Sequence, residues 1–217
     1  MVRQMVFVLV LCLGVLINKS LWAANLPTEI AQRVEAYYQA TKSFAGEFEQ
    51  EVLFKRGGQV KISKGKVFYK KPGLMRWEYE WPEKLLVIFD GKTIYVYSPK
   101  DKQVMVFPLD QSLSSKVTVN FLKGQADILR DFELSSFEKL SEKKVALTLI
   151  PKDQETQVQK ICLIVTPENG AIKEIWFWDQ LENLTKIKFF KIKRNVKLKS
   201  SIFHFEPPRD VEIIRQR

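Results

Sequence analysis

Histidine and cysteine are almost missing: 217 residues include one His and two Cys. A mechanism needing paired imidazoles, or a metal site built on several of them, has no material. A disulfide framework is excluded on the same count. Nine Gly and nine Pro are too few for a collagen-like or low-complexity chain. The longest apolar run, Met5 to Ile17, has 13 residues, too short to span a bilayer as a helix. No catalytic constellation stands out, since Asp90 and Glu78 have nothing but their coexistence to make them an acid/base couple. What is present is a globular composition, 46% apolar and 28% charged, with 12% aromatic residues and a net charge of +10. Taken by itself, that charge fits nucleic acid, acidic lipid surfaces or acidic protein partners.

The 13-residue run follows Arg3 and precedes Asn18, Lys19 and Ser20, which is the layout of a secretory signal peptide. The small residues Ala23 and Ala24 place cleavage there, so residues 1–24 are expected to be removed and 25–217 to form one domain. Cys12 lies mid-run after the bulky Leu11, which argues against a lipid anchor. Loss of Arg3 and Lys19 lowers the net charge only to +8. An exported basic protein has no nucleic-acid partner to meet, so none is expected. Cys162, within the apolar run Ile161 to Val165, is the one thiol left and reads as a buried, inert side chain.

A helix is expected from Pro27 and Thr28, with Ile30, Val34, Tyr37 and Thr41 on one face. From Phe44 the period becomes two: Phe44, Gly46, Phe48, Gln50 and Val52 alternate with Glu47, Glu49 and Glu51. Strand patterns follow at 60–69, 74–80, 85–89, 93–97, 103–107, 132–138, 145–150, 158–166, 171–178, 185–193 and 200–205, with Asp90-Gly91 and Asn169-Gly170 as hairpin turns. Residues 109–130 break that rhythm and suit short helices or a long loop. About a dozen antiparallel strands in one domain must close, nearly close, or split into a sandwich. His204 is read as a strand residue without a special role.

Residues 63–99 carry the most information: Ser63-Lys64-Gly65-Lys66-Val67-Phe68-Tyr69-Lys70-Lys71-Pro72-Gly73-Leu74-Met75-Arg76-Trp77-Glu78-Tyr79, then Trp81-Pro82, Asp90-Gly91-Lys92 and Tyr95-Val96-Tyr97-Ser98-Pro99. Together with the leader, the opening helix, Phe48-Glu49-Gln50, and Phe203-His204-Phe205-Glu206-Pro207-Pro208, this string resembles the periplasmic outer-membrane lipoprotein carrier family, LolA. The resemblance implies a mainly β fold: an incomplete, unclosed antiparallel β-barrel with an N-terminal helix and short lid helices over a hydrophobic cavity. It also implies a monomeric periplasmic chaperone, not an enzyme, without cofactor or metal. Such a protein takes acylated lipoproteins from an inner-membrane ATP-driven release complex to an outer-membrane lipoprotein acceptor. The family's basic residue before the motif proline, usually arginine, ties barrel to lid; Lys71 stands there, without arginine's planar fork. The lid would match 109–130, and Met75 and Trp77 would line the cavity.

On pattern alone, Phe48, Phe68, Met75, Trp77, Phe89 and Met105 fit plain core as well as a lipid-binding cavity. The resemblance favours lining for Met75 and Trp77. The basic group Lys186, Lys188, Lys191, Lys193, Arg194, Lys197 and Lys199 fits either a solvated face or a docking surface for an acidic partner or anionic head groups. An acyl chain of about 16 carbons is worth roughly 12 kcal/mol to bury, so a water-soluble carrier must hide it, but loosely enough to release it. Two other readings remain: a related outer-membrane acceptor or lipoprotein-sensing envelope protein on the same fold, and a secreted hydrolase.

Overall fold

The computed structural model describes residues 18–108, 127–153 and 157–215. Helix α1 (Asn18–Gln39) leads into β1 (Ser43–Leu53), β2 (Val60–Lys70), β3 (Leu74–Trp81), β4 (Leu85–Phe89), β5 (Thr93–Ser98) and β6 (Gln103–Pro108). A single helical turn, α2 (Ile128–Asp131), then precedes β7 (Phe132–Ser141), β8 (Lys144–Pro151), β9 (Val158–Val165), β10 (Ile172–Asp179) and β11 (Leu184–Arg194). A 3₁₀ turn (Ser200–Phe203) and β12 (Glu212–Arg215) complete the chain.

The twelve strands of the described residues form one sheet in the order β12-β6-β5-β4-β3-β2-β1-β11-β10-β9-β8-β7. Neighbours pair antiparallel except β12, which lies parallel to β6. Among the described residues β7 and β12 do not pair, so the barrel is unclosed, as the resemblance implies. The hairpin turns work as their sequences require. The Asp90 carboxylate accepts from the backbone of Lys92 and Thr93 at 2.9 and 2.8 Å, and Gly91 takes φ +96°.

Each face of the sheet is covered over a different half. On the inner face, Ile30, Ala31 and Val34 of α1 pack against Leu147, Leu163 and Val165 of β8 and β9. Gly170 has α1 against it: a Cβ there would lie 2.3 Å from the Arg33 carbonyl carbon. The Glu35 carboxylate accepts the Leu129 N–H at 3.1 Å and so holds α2 to α1. On the outer face, the C-terminal segment lies over β3–β6. Ile88 and Val104 are fully buried there, Phe203 is 1% exposed, and Phe205 sits 5.5 and 5.6 Å from the rings of Tyr95 and Tyr97. Arg76 fixes the strap by donating to the Ile202 carbonyl at 2.9 Å.

Three expectations need correction. Residues 200–205 are not a strand, and His204 lies outside regular structure, because the apolar outer face of β3–β6 draws Phe203 and Phe205 onto itself. The last strand is instead Glu212–Arg215, which adds to the β6 edge through the Glu212 N–H bond to the Lys102 carbonyl. Helix α1 starts at Asn18, with Pro27 inside it rather than opening it. Helix-forming residues precede Pro27 in the uncleaved chain, and the turns around it outweigh the one backbone bond proline forgoes. Residues 1–17 of the expected leader and 109–126 of the expected lid lie outside the described residues.

Candidate functional site

Strand register decides which side chains share a face, because alternate residues point to opposite sides. Phe48 on β1 pairs with Gly65 on β2, which pairs with Tyr79 on β3. Gly65 is required: a Cβ would fall 1.9 Å from the Glu78 carbonyl oxygen. The gap it leaves lets the Phe48 ring meet Tyr79 edge to face at 4.9 Å and Trp77 at 4.7 Å. Trp77 lies 6.2 Å from Phe189, and Phe44 stacks on Tyr69 at 5.3 Å. Met75 faces Phe89 across β3 and β4, Trp77 faces Val87, Val87 faces Val96, and Val96 faces Met105.

Five of the six expected cavity residues therefore share the inner face: Phe48, Met75, Trp77, Phe89 and Met105. Phe68 does not. It pairs with Ala45 and Arg76, on the face that the C-terminal strap covers, one step out of phase with the buried Val67 and Tyr69. The five grade from enclosed to open: Phe48 and Phe89 are 1% and 3% exposed, whereas Met105 is 36% exposed. The polar atoms of this face are tied back. The Tyr79 hydroxyl donates to Gln50 Oε1 at 2.9 Å, and burial pushes its pKa up to about 12. Tyr38, facing Tyr69 and Tyr37, is raised by the same desolvation. These phenols stay neutral at any physiological pH.

Where the end of α1 crosses the sheet, a pocket of about 150 Å³ opens among Tyr37, Tyr38, Phe44, Phe189, Ile192 and Arg194. That is the size of a cavity that holds benzene, far short of a long acyl chain. Two basic residues hold this end of α1. Lys71 Nζ donates to the Gln39 carbonyl at 2.8 Å. Arg194 does more: it donates to Thr41 Oγ1 at 2.8 Å and the Tyr37 carbonyl at 3.0 Å, and its guanidinium lies 3.6 Å from the centre of the Tyr37 ring. The sequence placed Arg194 merely among basic residues; its one distinguishing signal is that it is the sole arginine in that lysine group. Lys186 and Lys191 pair with Glu51 and Glu47 at 3.5 and 3.0 Å, so part of that basic group neutralises β1. Cys162 is buried, and desolvation raises its thiol pKa, which makes it a poor nucleophile. Among the described residues no cluster of His, Cys, Asp or Glu could hold a metal ion, and no helix is long and apolar enough to cross a membrane.

Residues 39–206, from the end of α1 through the strap, match the family model described as outer membrane lipoprotein carrier protein LolA. The chain belongs to the LolA family. It is 29% identical over 212 residues to an outer-membrane lipoprotein carrier protein of Nitrosomonas europaea, covering 98% of each chain. A protein of the same name from Chromohalobacter salexigens is 29% identical over 193 residues, covering 89% of this chain and 90% of that one. Among solved structures, an uncharacterized conserved protein from Thermus thermophilus shares the fold, with a TM-score of 0.53 and 17% identity over 87% of this chain and 98% of its own. In this LolA-family chain Arg194 and the inner-face rings Phe44 and Phe189 line the same pocket.

Proposed function

We propose that this protein is a non-enzymatic periplasmic carrier that shields the acyl chains of lipoproteins between the inner and the outer membrane. The observation that carries the reading is the apolar inner face, on which Phe48, Met75, Trp77, Phe89 and Met105 converge in an unclosed sheet. An acyl chain is worth about 0.8 kcal/mol per buried methylene, so it will not dwell in water, and a face already filled by its own rings takes it up without holding it irreversibly. Lys71 and Arg194 fix the end of α1 over this face and so control how far it opens.

The partners follow from the direction of travel: an inner-membrane ATP-driven release complex supplies the energy of extraction, and an outer-membrane acceptor draws the cargo off. Cleavage near Asn25 suits the mature helix, since it leaves Pro27 in the first turn, where a missing N–H costs nothing. The test adds the mature protein to spheroplasts carrying labelled lipoproteins. Soluble 1:1 complexes support the reading. Folded protein that releases nothing and takes up no acyl probe refutes it.

A further inference from the structure

The end of the sheet away from the closing residues of α1 carries exposed apolar side chains that the acyl site does not use. Strand β3 ends opposite Lys64, so Val60 to Ser63 of β2 project beyond it with their β1 partners. Leu53 pairs with both Val60 and Leu184, which sets the β1–β2 hairpin beside the turn joining β10 and β11. The two tips are locked together. The Lys55 ammonium lies 2.9 Å from the Glu182 carboxylate, and the Lys55 N–H donates to Asn183 Oδ1 at 3.1 Å. On this double tip Leu181 is 72% exposed, Val60 55% and Phe54 39%. Arg56 and Lys61 are exposed beside them.

We propose that these paired hairpin tips dock the protein on the surface of an anionic lipid bilayer. Apolar side chains at the apex of a projection, flanked by arginine and lysine, match the chemistry of an interface in which apolar groups dip below the head groups and cations stay among the phosphates. A net charge of +8 on residues 25–217 adds long-range attraction to such a surface. A protein partner fits less well, because the four exposed apolar side chains of the tip, Phe54, Val60, Ile62 and Leu181, are far short of the roughly 800 Å² per side that a specific protein interface buries. The tips lie on different residues from the acyl face, so docking stands or falls independently of cargo binding.

The test is flotation of the mature protein with vesicles of phosphatidylglycerol and phosphatidylcholine, against vesicles of phosphatidylcholine alone. Binding is expected to the anionic vesicles only and to weaken with salt. Leu181→Asp, alone and combined with Val60→Asp, should weaken it about tenfold or more, while circular dichroism and acyl-probe uptake stay unchanged. Failure of the wild type to float, flotation undiminished in both variants, or loss of delivery to a purified acceptor protein without any vesicle binding would each overturn the proposal.

Discussion

Replacing Phe48 with alanine separates a ring that merely fills a core from one that keeps a place for a guest. The side chain is 1% exposed and meets two aromatic rings edge to face. Truncation of a buried phenylalanine costs about 3–5 kcal/mol, from lost transfer energy and the cavity left behind. In a domain of this size that lowers the Tm by roughly 10 °C. The vacated space adjoins Trp77 and Phe189, so an acyl tail can use it. Room for about three more methylenes is worth roughly 2.4 kcal/mol, or some fiftyfold in affinity. Stability and acyl affinity should thus move in opposite directions, read by thermal unfolding and by titration with a fluorescent fatty acyl probe. An unfolding temperature that falls while probe affinity is unchanged or weaker would make Phe48 ordinary core and refute the self-filled site.

Gly170→Ala should cost at least about 2 kcal/mol in denaturant unfolding, because φ is +73° and the new methyl meets the α1 backbone. Gly91→Ala is the control: φ is again positive, at +96°, but the nearest atom is 3.7 Å away, so about 1 kcal/mol is expected. Stability should also fall as pH rises above about 10, where tyrosines of the unfolded chain ionise while Tyr79 stays neutral in the fold until about 12. Because the folded pKa is the higher one, this contribution is complete below 10 and lost on the way up, and Tyr79→Phe should flatten the alkaline limb of the stability curve. Lys71→Leu should leave the fold intact and impair lipoprotein hand-over. Arg194→Leu removes two hydrogen bonds and a ring contact, roughly 2–3 kcal/mol, and should lower hydrogen-exchange protection at the end of α1 more than Lys71→Leu does.

Much of the fold was legible because its strands alternate and its turns carry Asp-Gly or Asn-Gly. The face shared by Phe44, Phe48 and Gln50 was readable from period two alone, and so was the Asp90 turn. Phe68 was not assignable. It follows Val67 in a run where Val67, Phe68 and Tyr69 are all apolar, so periodicity vanishes and only the pairing with Arg76 assigns the side. Residues 200–205 alternate as a strand would, yet the two phenylalanines serve as plugs on another element, a tertiary demand that local pattern does not encode. Strand β12 is four residues long and borrows its stability from the β6 edge, so it leaves almost no periodic signal. Of the site, the apolar strand residues could be anticipated. The grip of Arg194 on α1 could not, since it joins residues more than 150 positions apart.

Among the described residues β7 and β12 stay unpaired, and that sets how the sheet can deform. A closed barrel is a hoop, and widening a hoop means breaking rungs all the way along a seam. An open sheet is a leaf spring: it can uncurl by small changes of twist spread over eleven strand pairings, with every rung intact. On the proposed carrier reading, laden and empty forms would differ in curvature rather than in hydrogen-bond count, with the contacts that bind α1 to the sheet opposing the change. Tuning those contacts alters how readily the interior expands without redesigning the sheet itself.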